Sequence, residues 1–451
     1  MEDKRKYLNI WHKMAYGSGD MATNFCYSFL SSFILIYFTD TMGLNAGVIG
    51  TLFMLSRVID GVSDVIAGVL IDRTKSRWGK ARPWMLLSIL PIAVCEILIF
   101  SVPDMGRTLQ YAYIFVIYTL LNAVFYTANN VAYSTLAMLI TPKKTERVQL
   151  GVFRFVFTLI ATMIVSGGTM EIVKAFGGGV NGWRYTAILF AALFVLFQAL
   201  CVFPLRELPP SELGGEVSGE NVSFVKSAKY LLHNRFFVIQ LFVGILYMGL
   251  VTITSTVGVY YMTYIIKNPS MLAAFSLAMA LPMVVGLFAT PALVKRFNIW
   301  KTVVAALVLS TAMCIPYMIF GFKGMVIPML VFQALHWLFR GPQTGVGAAL
   351  TAEVCGYTLH KDGVRIEGTI NSCGTMGQKV GMGIGTAVTG WLMAASGYNG
   401  NLEVQPESAL SMISFLYAAL PLIITAIVAV LMYFMNVEKA NAQLDAQKGA
   451  Y

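Results

Sequence analysis

The chain alternates long apolar segments with short polar loops from end to end. A helix needs about 20 mostly apolar residues to cross the hydrocarbon core of a bilayer. This pattern predicts an all-α membrane protein with twelve transmembrane helices in two six-helix bundles. The predicted spans lie near residues 15–38, 46–71, 83–102, 109–140, 150–175, 185–204, 236–264, 272–295, 301–320, 325–354, 368–394 and 409–436.

The longest polar interruption divides these spans into two sets of six. Residues 206–235 are rich in Pro, Gly, Ser and Glu, a composition typical of a linker. We predict an N-terminal bundle with a cation site over 1–205, a cytoplasmic linker over 206–235, a C-terminal bundle over 236–436 and a cytoplasmic tail over 437–451. Two bundles around a central loop are typical of transporters with a midplane site.

Composition and charge support a membrane location. Of the 451 residues, 57% are hydrophobic and 12% are charged, whereas soluble domains have about 25% charged residues. The net charge of +10 is spread over alternate loops, which predicts cytoplasmic termini in the plasma (cytoplasmic) membrane. No single basic face collects these charges, so nucleic acid is a poor partner. The polar start has no signal-peptide core.

Span two contains charges that an apolar helix does not need. Arg57, Asp60 and Asp64 are spaced by three and four residues, on one helix face and within about 10 Å along the axis. An ionised side chain at bilayer depth costs about 2.5–3.5 kcal/mol. Together with Ser63, the two carboxylates favour a site for a monovalent cation, Na⁺ at Asp60 and Asp64, or for a proton. The alternative is an ion pair that only stabilises the bundle.

Other spans carry stripes of polar side chains at helical spacing. Each could form an ordinary interhelical hydrogen bond worth about 0.6 kcal/mol. Together they supply donors, acceptors and aromatic faces suited to a polyhydroxylated ligand. The predicted substrate-binding residues from these stripes are Asp20, Asn24, Tyr27, Tyr126, Asn130, Tyr133, Arg154 and Lys379.

The loop after span two has the pattern G-x-x-x-D-R-x-K-x-R. It is formed by Gly68, Asp72, Arg73, Lys75 and Arg77. It resembles the loop signature of the major facilitator superfamily. We predict that Gly68 permits close helix contact and that the charged turn pairs with helix ends in one conformation. The matching loop of the second half keeps only Lys295 and Arg296, so the internal repeat is weak in the sequence.

Residue patterns argue against an enzyme. The six cysteines lie in or beside spans without CxxC spacing, and the four histidines lack metal-ligand spacing. No catalytic triad, metal cluster or differentiated carboxylate pair falls in a predicted water-filled region. We therefore expect no enzyme activity, no cofactor and no obligate protein partner. Glu96, Arg340 and Glu353 receive no assigned role.

Several motifs together resemble the glycoside–pentoside–hexuronide:cation symporters, the melibiose-carrier-like branch of the major facilitator superfamily. The resemblance covers nearly the whole chain and rests on YGSGDMATNF, RVIDGVSDVIAGVLIDRTKSRWGKARPW, NNVAYSTL and DGVRIEGTINSCGTMGQKVGMGIG. It implies the major facilitator fold and secondary active symport of a glycoside with Na⁺ or a proton.

The resemblance also implies roles for individual residues. Asp60 and Asp64 match the family's cation-binding carboxylates, and Thr127 matches a hydroxyl that helps to coordinate sodium. The implied sugar-binding positions are Asp20, Tyr126, Asn130, Arg154, Thr375 and Lys379. Asn130 points away from melibiose, and GVRIEG at 363–368 resembles glucuronide carriers and suggests a β-glucuronide.

Some positions depart from the family pattern. Ala132 replaces a usual proline, and residues 352–357 change the acidic end of span ten. These differences leave the identity of the glycoside open. Two rival functions also stay open, namely a lipid or amphiphile carrier on the same fold and a membrane sugar sensor that does not translocate its ligand.

Overall fold

The computed structural model describes residues 7–209, 233–362, 367–402 and 404–448, and every regular element in these ranges is a helix. The contacts divide the chain into two compact units, Met1–Gly219 with Asn399–Glu403, and Glu220–Tyr398 with Val404–Tyr451. Residues 210–232 of the predicted linker lie outside the described residues. The helical elements confirm the predicted all-α class.

The first unit contains six long helical segments. Their elements are α1 (Ile10–Ile36) with a π-helical end (Tyr37–Thr41), α2 (Ala46–Arg73), α3 (Arg82–Ile99), α4 (Arg107–Thr119), a π-helical insertion (Leu120–Tyr126), α5 (Thr127–Leu139), α6 (Lys144–Ala175) and α7 (Gly179–Val202). The π-helical insertion joins α4 to α5, so the two form one span.

The second unit also contains six long segments, followed by a terminal helix. Its elements are α8 (Arg235–Tyr260) with a π-helical end (Tyr261–Ile265), α9 (Met271–Phe297), α10 (Ile299–Phe322), α11 (Val326–Gly345), α12 (Gly347–Asp362), α13 (Glu367–Ala395), α14 (Glu407–Ser414), a π-helical insertion (Phe415–Ala419), α15 (Leu420–Tyr433) and α16 (Val437–Lys448). Thus α16 occupies most of the stretch predicted as a tail.

Nine helices in the described part of the chain are long and apolar enough to cross a membrane. The long segments outside this set are α2, α11 with α12, and α13. These contain the charges of span two, the broken span ten and the polar stretch around Thr375 and Lys379. Predicted site residues therefore occur on α2 and α13, which lie outside this set, and on α1, span four and α6, which lie within it.

Each unit repeats the same contact between its first and third spans. Both α1 and α8 end in a π-helical turn that begins with a tyrosine. Tyr37 Oη donates to the carbonyl oxygen of Phe100, after the end of α3, at 3.1 Å. Tyr261 Oη donates to the carbonyl oxygen of Gly321, near the end of α10, at 2.5 Å. The two units therefore share this tyrosine hydrogen bond, although the sequence repeat between them is weak.

A glutamate near the end of each unit caps that unit's third span. Glu207 accepts hydrogen bonds from the backbone N–H groups of residues 80–82 at 2.7, 2.9 and 2.9 Å. Glu438, on α16, accepts from the N–H groups of Ile299 and Trp300 at 3.2 and 3.0 Å. Because the first N–H groups of a helix lack intrahelical acceptors, each carboxylate stabilises a helix start.

Candidate functional site

Asp60 lies in the middle of α2 and is 3% exposed. Its Oδ1 accepts a hydrogen bond from Thr127 Oγ1 at 2.5 Å, and its Oδ2 lies 3.4 Å from Arg57 Nη1. Thr127 follows the π-helical insertion in span four, and its hydroxyl is also 3.0 Å from the carbonyl oxygen of Asn122. Such insertions are frequent at functional sites, and this one precedes the hydroxyl that contacts Asp60.

Aromatic rings surround the Arg57 guanidinium, which is itself buried. Its central carbon lies 5.8 Å from the ring centroid of Tyr27 and 6.0 Å from that of Tyr118. Tyr27 in turn stacks on Tyr126, with 5.9 Å between centroids. These contacts connect the charges of α2 with α1 and with the π-helical insertion of span four.

Asp64 and Ser63 occupy the next turn of α2, and both are partly buried. The Ser63 hydroxyl donates to the backbone oxygen of Asp60 at 2.9 Å, so it serves the helix backbone in this conformation. Among the described residues, no group of three or more His, Cys, Asp and Glu side chains could hold a metal ion. A cation at Asp60 and Asp64 would need neutral oxygens as well, and Thr127 supplies one.

A second charged site joins α1 to α6. Arg154 holds Asp20 through two hydrogen bonds, Nε to Oδ2 at 3.0 Å and Nη2 to Oδ1 at 3.1 Å. Thr158 donates to Asp20 Oδ2 at 3.2 Å and accepts from Asn24 Nδ2 at 3.3 Å. The Asp20 and Arg154 side chains are 16% and 35% exposed. This network is therefore accessible to a small ligand, whereas Asp60 is nearly enclosed.

Two tyrosines form the base beneath Arg154. Its guanidinium carbon lies 4.9 Å from the ring centroid of Tyr133, which stacks on Tyr16 with 4.5 Å between centroids. Each hydroxyl donates to the other residue's carbonyl oxygen, at 2.6 Å from Tyr133 and 3.1 Å from Tyr16. Tyr133 is 1% exposed. It therefore supports Arg154 here, and sugar stacking on Tyr133 would need a conformation that exposes its ring.

The structure places the other first-half candidates around these two sites. Asn24 belongs to the Asp20 network, and Asn130 is exposed on α5, one turn after Tyr126. Tyr27 lies at the Arg57 side, two turns along α1 from Asp20. The predicted residues thus form one cluster around Asp60 and another around Asp20. Tyr27 lies on α1 between the two clusters, and Tyr126 stacks on it.

The predicted loop motif is only partly explained by the structure. A Cβ atom built at Gly68 would meet no heavy atom of the described residues within 4 Å. The expected close helix contact at Gly68 is thus not formed by the described residues in this conformation, and its role stays a prediction. Arg73, Lys75 and Arg77 are exposed, and Asp72 lies on α2. The loop is held at its far end, where Glu207 caps α3.

The second unit contains a cavity of about 330 Å³ between α8, the α11–α12 segment and α13. The described residues that form its wall carry no charged side chain. Its amide and hydroxyl lining consists of Gln240, Tyr247, Gln343, Thr344, Thr351, Thr375 and Gln378. The predicted residue Thr375 therefore lines this cavity, and Lys379, one turn later, is partly buried outside it.

Two glutamines give this cavity unused hydrogen-bonding capacity. Gln240 Nε2 donates to Thr351 Oγ1 at 2.7 Å. The buried Oε1 atoms of Gln240 and Gln343 have no hydrogen-bond partner among the residues that the structure describes. Buried polar atoms are normally paired, and the last torsion of a glutamine rotates easily. A ligand hydroxyl in the cavity would supply the missing donor after a small rotation.

The three ionisable residues without a predicted role have different surroundings. Arg340 is fully buried, donates to Thr425 Oγ1 at 2.9 Å and lies 4.9 Å from the Tyr247 ring centroid. Glu96 is fully buried in α3. Glu353 accepts a hydrogen bond from Asn441 of α16 at 2.7 Å, so its contact fastens the terminal helix.

Several residues at these sites are not among the predicted site residues, and Thr158, Tyr16, Gln240 and Gln343 are examples. Thr158 lies one turn after Arg154, and this spacing was an available signal. Tyr16 lies one turn before Asp20 and extends the polar stripe of span one. Gln240 and Gln343 gave no signal, because a single amide in an apolar span has no pattern of its own.

Buried charges on long apolar helices in two units define a multi-pass membrane protein of the transporter type. The family model for the MFS/sugar transport protein family matches residues 15–439, so the chain belongs to that family. The resemblance to glycoside–pentoside–hexuronide:cation symporters is confirmed, and the family is one of transporters rather than enzymes.

Individual relatives agree with this family. The chain is 30% identical over 443 residues to the isoprimeverose transporter of Lactiplantibacillus pentosus, covering 96% of this chain and 90% of that protein. It is 29% identical over 426 residues to the putative glycoside/cation symporter YagG of Escherichia coli (strain K12), covering 93% and 90%. The solved nucleoside transporter NupG has a TM-score of 0.64 at 14% identity, covering 95% of this chain and 98% of that chain, which supports the fold.

Proposed function

We propose that this protein carries a glycoside across the membrane by alternating access, in symport with Na⁺ or a proton. The observation that carries the proposal is the buried Asp60 carboxylate, with Thr127 at 2.5 Å and Arg57 at 3.4 Å. A buried ionisable group in a span is costly and marks an ion or substrate pathway. Membership of a sugar transport family supports a glycoside as the substrate.

The proposed cation site consists of Asp60, Asp64 and Thr127. Two ionised carboxylates on successive helical turns repel each other, and a bound cation removes that repulsion. Na⁺ would use both carboxylates and the threonine oxygen, whereas a proton would need one carboxylate only. Arg57 supplies a counter-charge to Asp60 in the present conformation, and we expect it to withdraw when the cation binds.

The proposed sugar-binding groups of the first unit are Asp20, Arg154, Asn24 and Asn130. Glycoside hydroxyls donate to carboxylates and accept from guanidinium groups, and hydrogen bonds to charged groups contribute about 1.5–3 kcal/mol each. In the second unit we propose Thr375 and Lys379. We add Gln240 and Gln343, since both residues line its cavity and their buried oxygens have no hydrogen-bond partner among the described residues. Residues 363–366 of the glucuronide-like motif lie outside the described residues.

Coupling between the two ligands follows from the contacts around span four. Thr127 of the proposed cation site directly follows Tyr126, and Tyr126 stacks on Tyr27 of the helix that carries Asp20. A change at Asp60 therefore acts on residues next to the proposed sugar-binding groups. Such coupling is reciprocal, so each ligand raises the affinity for the other by the same factor.

Uptake into proteoliposomes tests the proposed function. The panel contains isoprimeverose, a β-glucuronide, an α-galactoside and a β-xyloside, each offered under an inward Na⁺ gradient, an inward proton gradient or no gradient. We expect one gradient to drive accumulation of at least one glycoside, and the Asp60→Asn variant to abolish that accumulation.

Other outcomes identify the rival functions. Equilibration without accumulation would indicate facilitated diffusion, and binding without uptake would indicate a sugar sensor. Competition of a lysolipid with the glycoside would favour an amphiphile carrier. Each of these results contradicts cation-coupled glycoside symport.

A further inference from the structure

The first unit contains a second cavity, of about 1050 Å³, at one end of its helices. Its wall is formed by the loop after α2, the end of α5 and the segment after α7. Five basic residues contribute to the wall, and Glu207 is the one acidic residue among the described lining residues. The basic residues are Lys75, Arg77, Lys80, Arg82 and Arg206.

Glu207 leaves this positive charge largely uncompensated. Its two oxygens accept three hydrogen bonds from backbone N–H groups at the start of α3, at 2.7–2.9 Å. Gly79 permits this approach, because a Cβ atom there would collide with the glutamate's carboxyl carbon and the residue has a φ of +104°. The carboxylate therefore accepts hydrogen bonds from the backbone, and the basic side chains of the wall still outnumber it.

Hydrogen bonds also hold the cavity wall in place. The Arg82 guanidinium donates to the carbonyl oxygen of Val202 from Nε at 3.3 Å and from Nη2 at 3.1 Å. The Leu208 N–H donates to the carbonyl oxygen of Leu139 at 2.8 Å. The basic side chains thus surround a built cavity whose frame joins the ends of α3, α5 and α7.

Large apolar side chains lie beside the basic ones. Trp78, Met138 and Phe203 line the cavity and are 46%, 53% and 63% exposed. Tryptophan near the end of a transmembrane helix is typical of the membrane interface. A free inorganic anion has no apolar part to contact these side chains. A lipid has both an anionic headgroup and an acyl chain, so it can contact the basic and the apolar residues together.

We propose that this cavity binds the phosphate-bearing headgroup of an anionic phospholipid. Lys75, Arg77 and Arg206 contact the phosphate, and the exposed Trp78 and Phe203 contact the glycerol and the first acyl carbons. The loop lies on the side predicted to be cytoplasmic, where basic pockets between transmembrane helices bind lipid headgroups. This site is separate from glycoside transport and does not depend on it.

Thermal unfolding of the purified full-length protein in detergent tests the proposal. Dioctanoyl phosphatidylglycerol is titrated against the wild type and the Lys75→Gln/Arg77→Gln/Arg206→Gln variant, with dioctanoyl phosphatidylcholine and inorganic phosphate as comparison ligands. We expect saturable stabilisation by phosphatidylglycerol alone, and an apparent affinity about tenfold lower in the variant. Arg206→Gln, outside any helix, serves as a milder variant if the triple variant does not fold, with a smaller loss in the same direction.

The control variant is Lys295→Gln/Arg296→Gln/Lys301→Gln, which removes three exposed charges from the second unit. We expect it to bind phosphatidylglycerol like the wild type. An equal loss in both triple variants would overturn the site, since it would show unspecific attraction. Equal stabilisation by phosphatidylcholine, or by inorganic phosphate, would overturn the anionic-lipid assignment.

Discussion

Thr127 Oγ1 lies 2.5 Å from Asp60 Oδ1 and joins span four to the charged face of span two. The other carboxylate oxygen of Asp60 lies 3.4 Å from Arg57 Nη1. The carboxylate is thus held between a neutral hydroxyl and a cation in an almost closed environment. Because the hydroxyl belongs to the helix that carries Tyr126 and Asn130, Asp60 is placed to influence the proposed sugar-binding residues.

The Thr127→Val variant removes the hydroxyl and keeps the side-chain shape. We expect the cation concentration for half-maximal stimulation of glycoside binding to rise about tenfold, since one oxygen ligand is lost. Cation titration of glycoside binding measures this. Thr135→Val is the matched control, because Thr135 Oγ1 donates to its own helix at Val131. An equal effect in both variants would contradict a specific role for Thr127.

The Arg154→Lys variant keeps the positive charge but removes the two-point contact with Asp20. A lysine cannot form both hydrogen bonds at 3.0 and 3.1 Å or lie flat on the Tyr133 ring. We expect glycoside affinity to fall at least about tenfold, with the fold retained. Equilibrium binding measures this. Arg184→Lys, where Nε donates to Ser101 away from both candidate sites, should bind like the wild type, and unchanged binding by Arg154→Lys would contradict the proposed sugar site.

The Gln343→Leu variant tests the second unit's cavity. Loss of the amide removes an acceptor that has no hydrogen-bond partner among the described residues, at a position that lines the cavity. We expect glycoside affinity to fall about tenfold, as for one lost hydrogen bond in a closed site, while the cation dependence of binding is retained. Gln333→Leu is the control on the same helix, since Gln333 is buried outside this cavity lining. A greater loss in the control would exclude a specific contact at Gln343.

The Glu207→Gln and Glu438→Gln variants test the two equivalent helix caps. Each carboxylate accepts backbone hydrogen bonds at the start of the third span of its unit. The neutral amide oxygen of glutamine is a weaker hydrogen-bond acceptor than a carboxylate oxygen. We expect each variant to lose about 2 kcal/mol of stability and to unfold about 5 °C lower. Thermal unfolding measures this. Glu407→Gln, at an exposed position, should unfold at the same temperature as the wild type. Equal unfolding temperatures in all three variants would contradict the capping role of Glu207 and Glu438.

The architecture was largely predictable because apolar length is a local property. Twelve segments long enough to cross a bilayer can be read from the sequence, and the structure has twelve long helical segments in the described residues. The paired tyrosine and glutamate contacts of the two halves were not predictable. Residues such as Tyr37 and Phe100 are far apart in sequence and meet only when the helices pack.

The candidate site residues that the sequence marks most clearly are charges inside apolar spans, and their roles stay predictions. Asp20, Asp60 and Arg154 stand out in apolar spans, and each has a specific partner in the structure. The role of Gly68 stays a prediction, since a glycine in a motif does not reveal which helix approaches it or in which conformation. The π-helical insertion before Thr127 was missed, because it adds no distinctive residue to the sequence.

Reciprocal binding tests the central claim most directly. The dissociation constant of the glycoside identified by uptake is measured with and without Na⁺, with Li⁺ and at acidic and alkaline pH, for the wild type and Asp60→Asn. We expect the dissociation constant of the glycoside to fall about tenfold or more when the coupling cation is present. The dissociation constant of the cation should fall by the same factor when the glycoside is present, and Asp60→Asn should lose both effects. Glycoside affinity that does not change with Na⁺, Li⁺ or pH would contradict cation-coupled symport at Asp60.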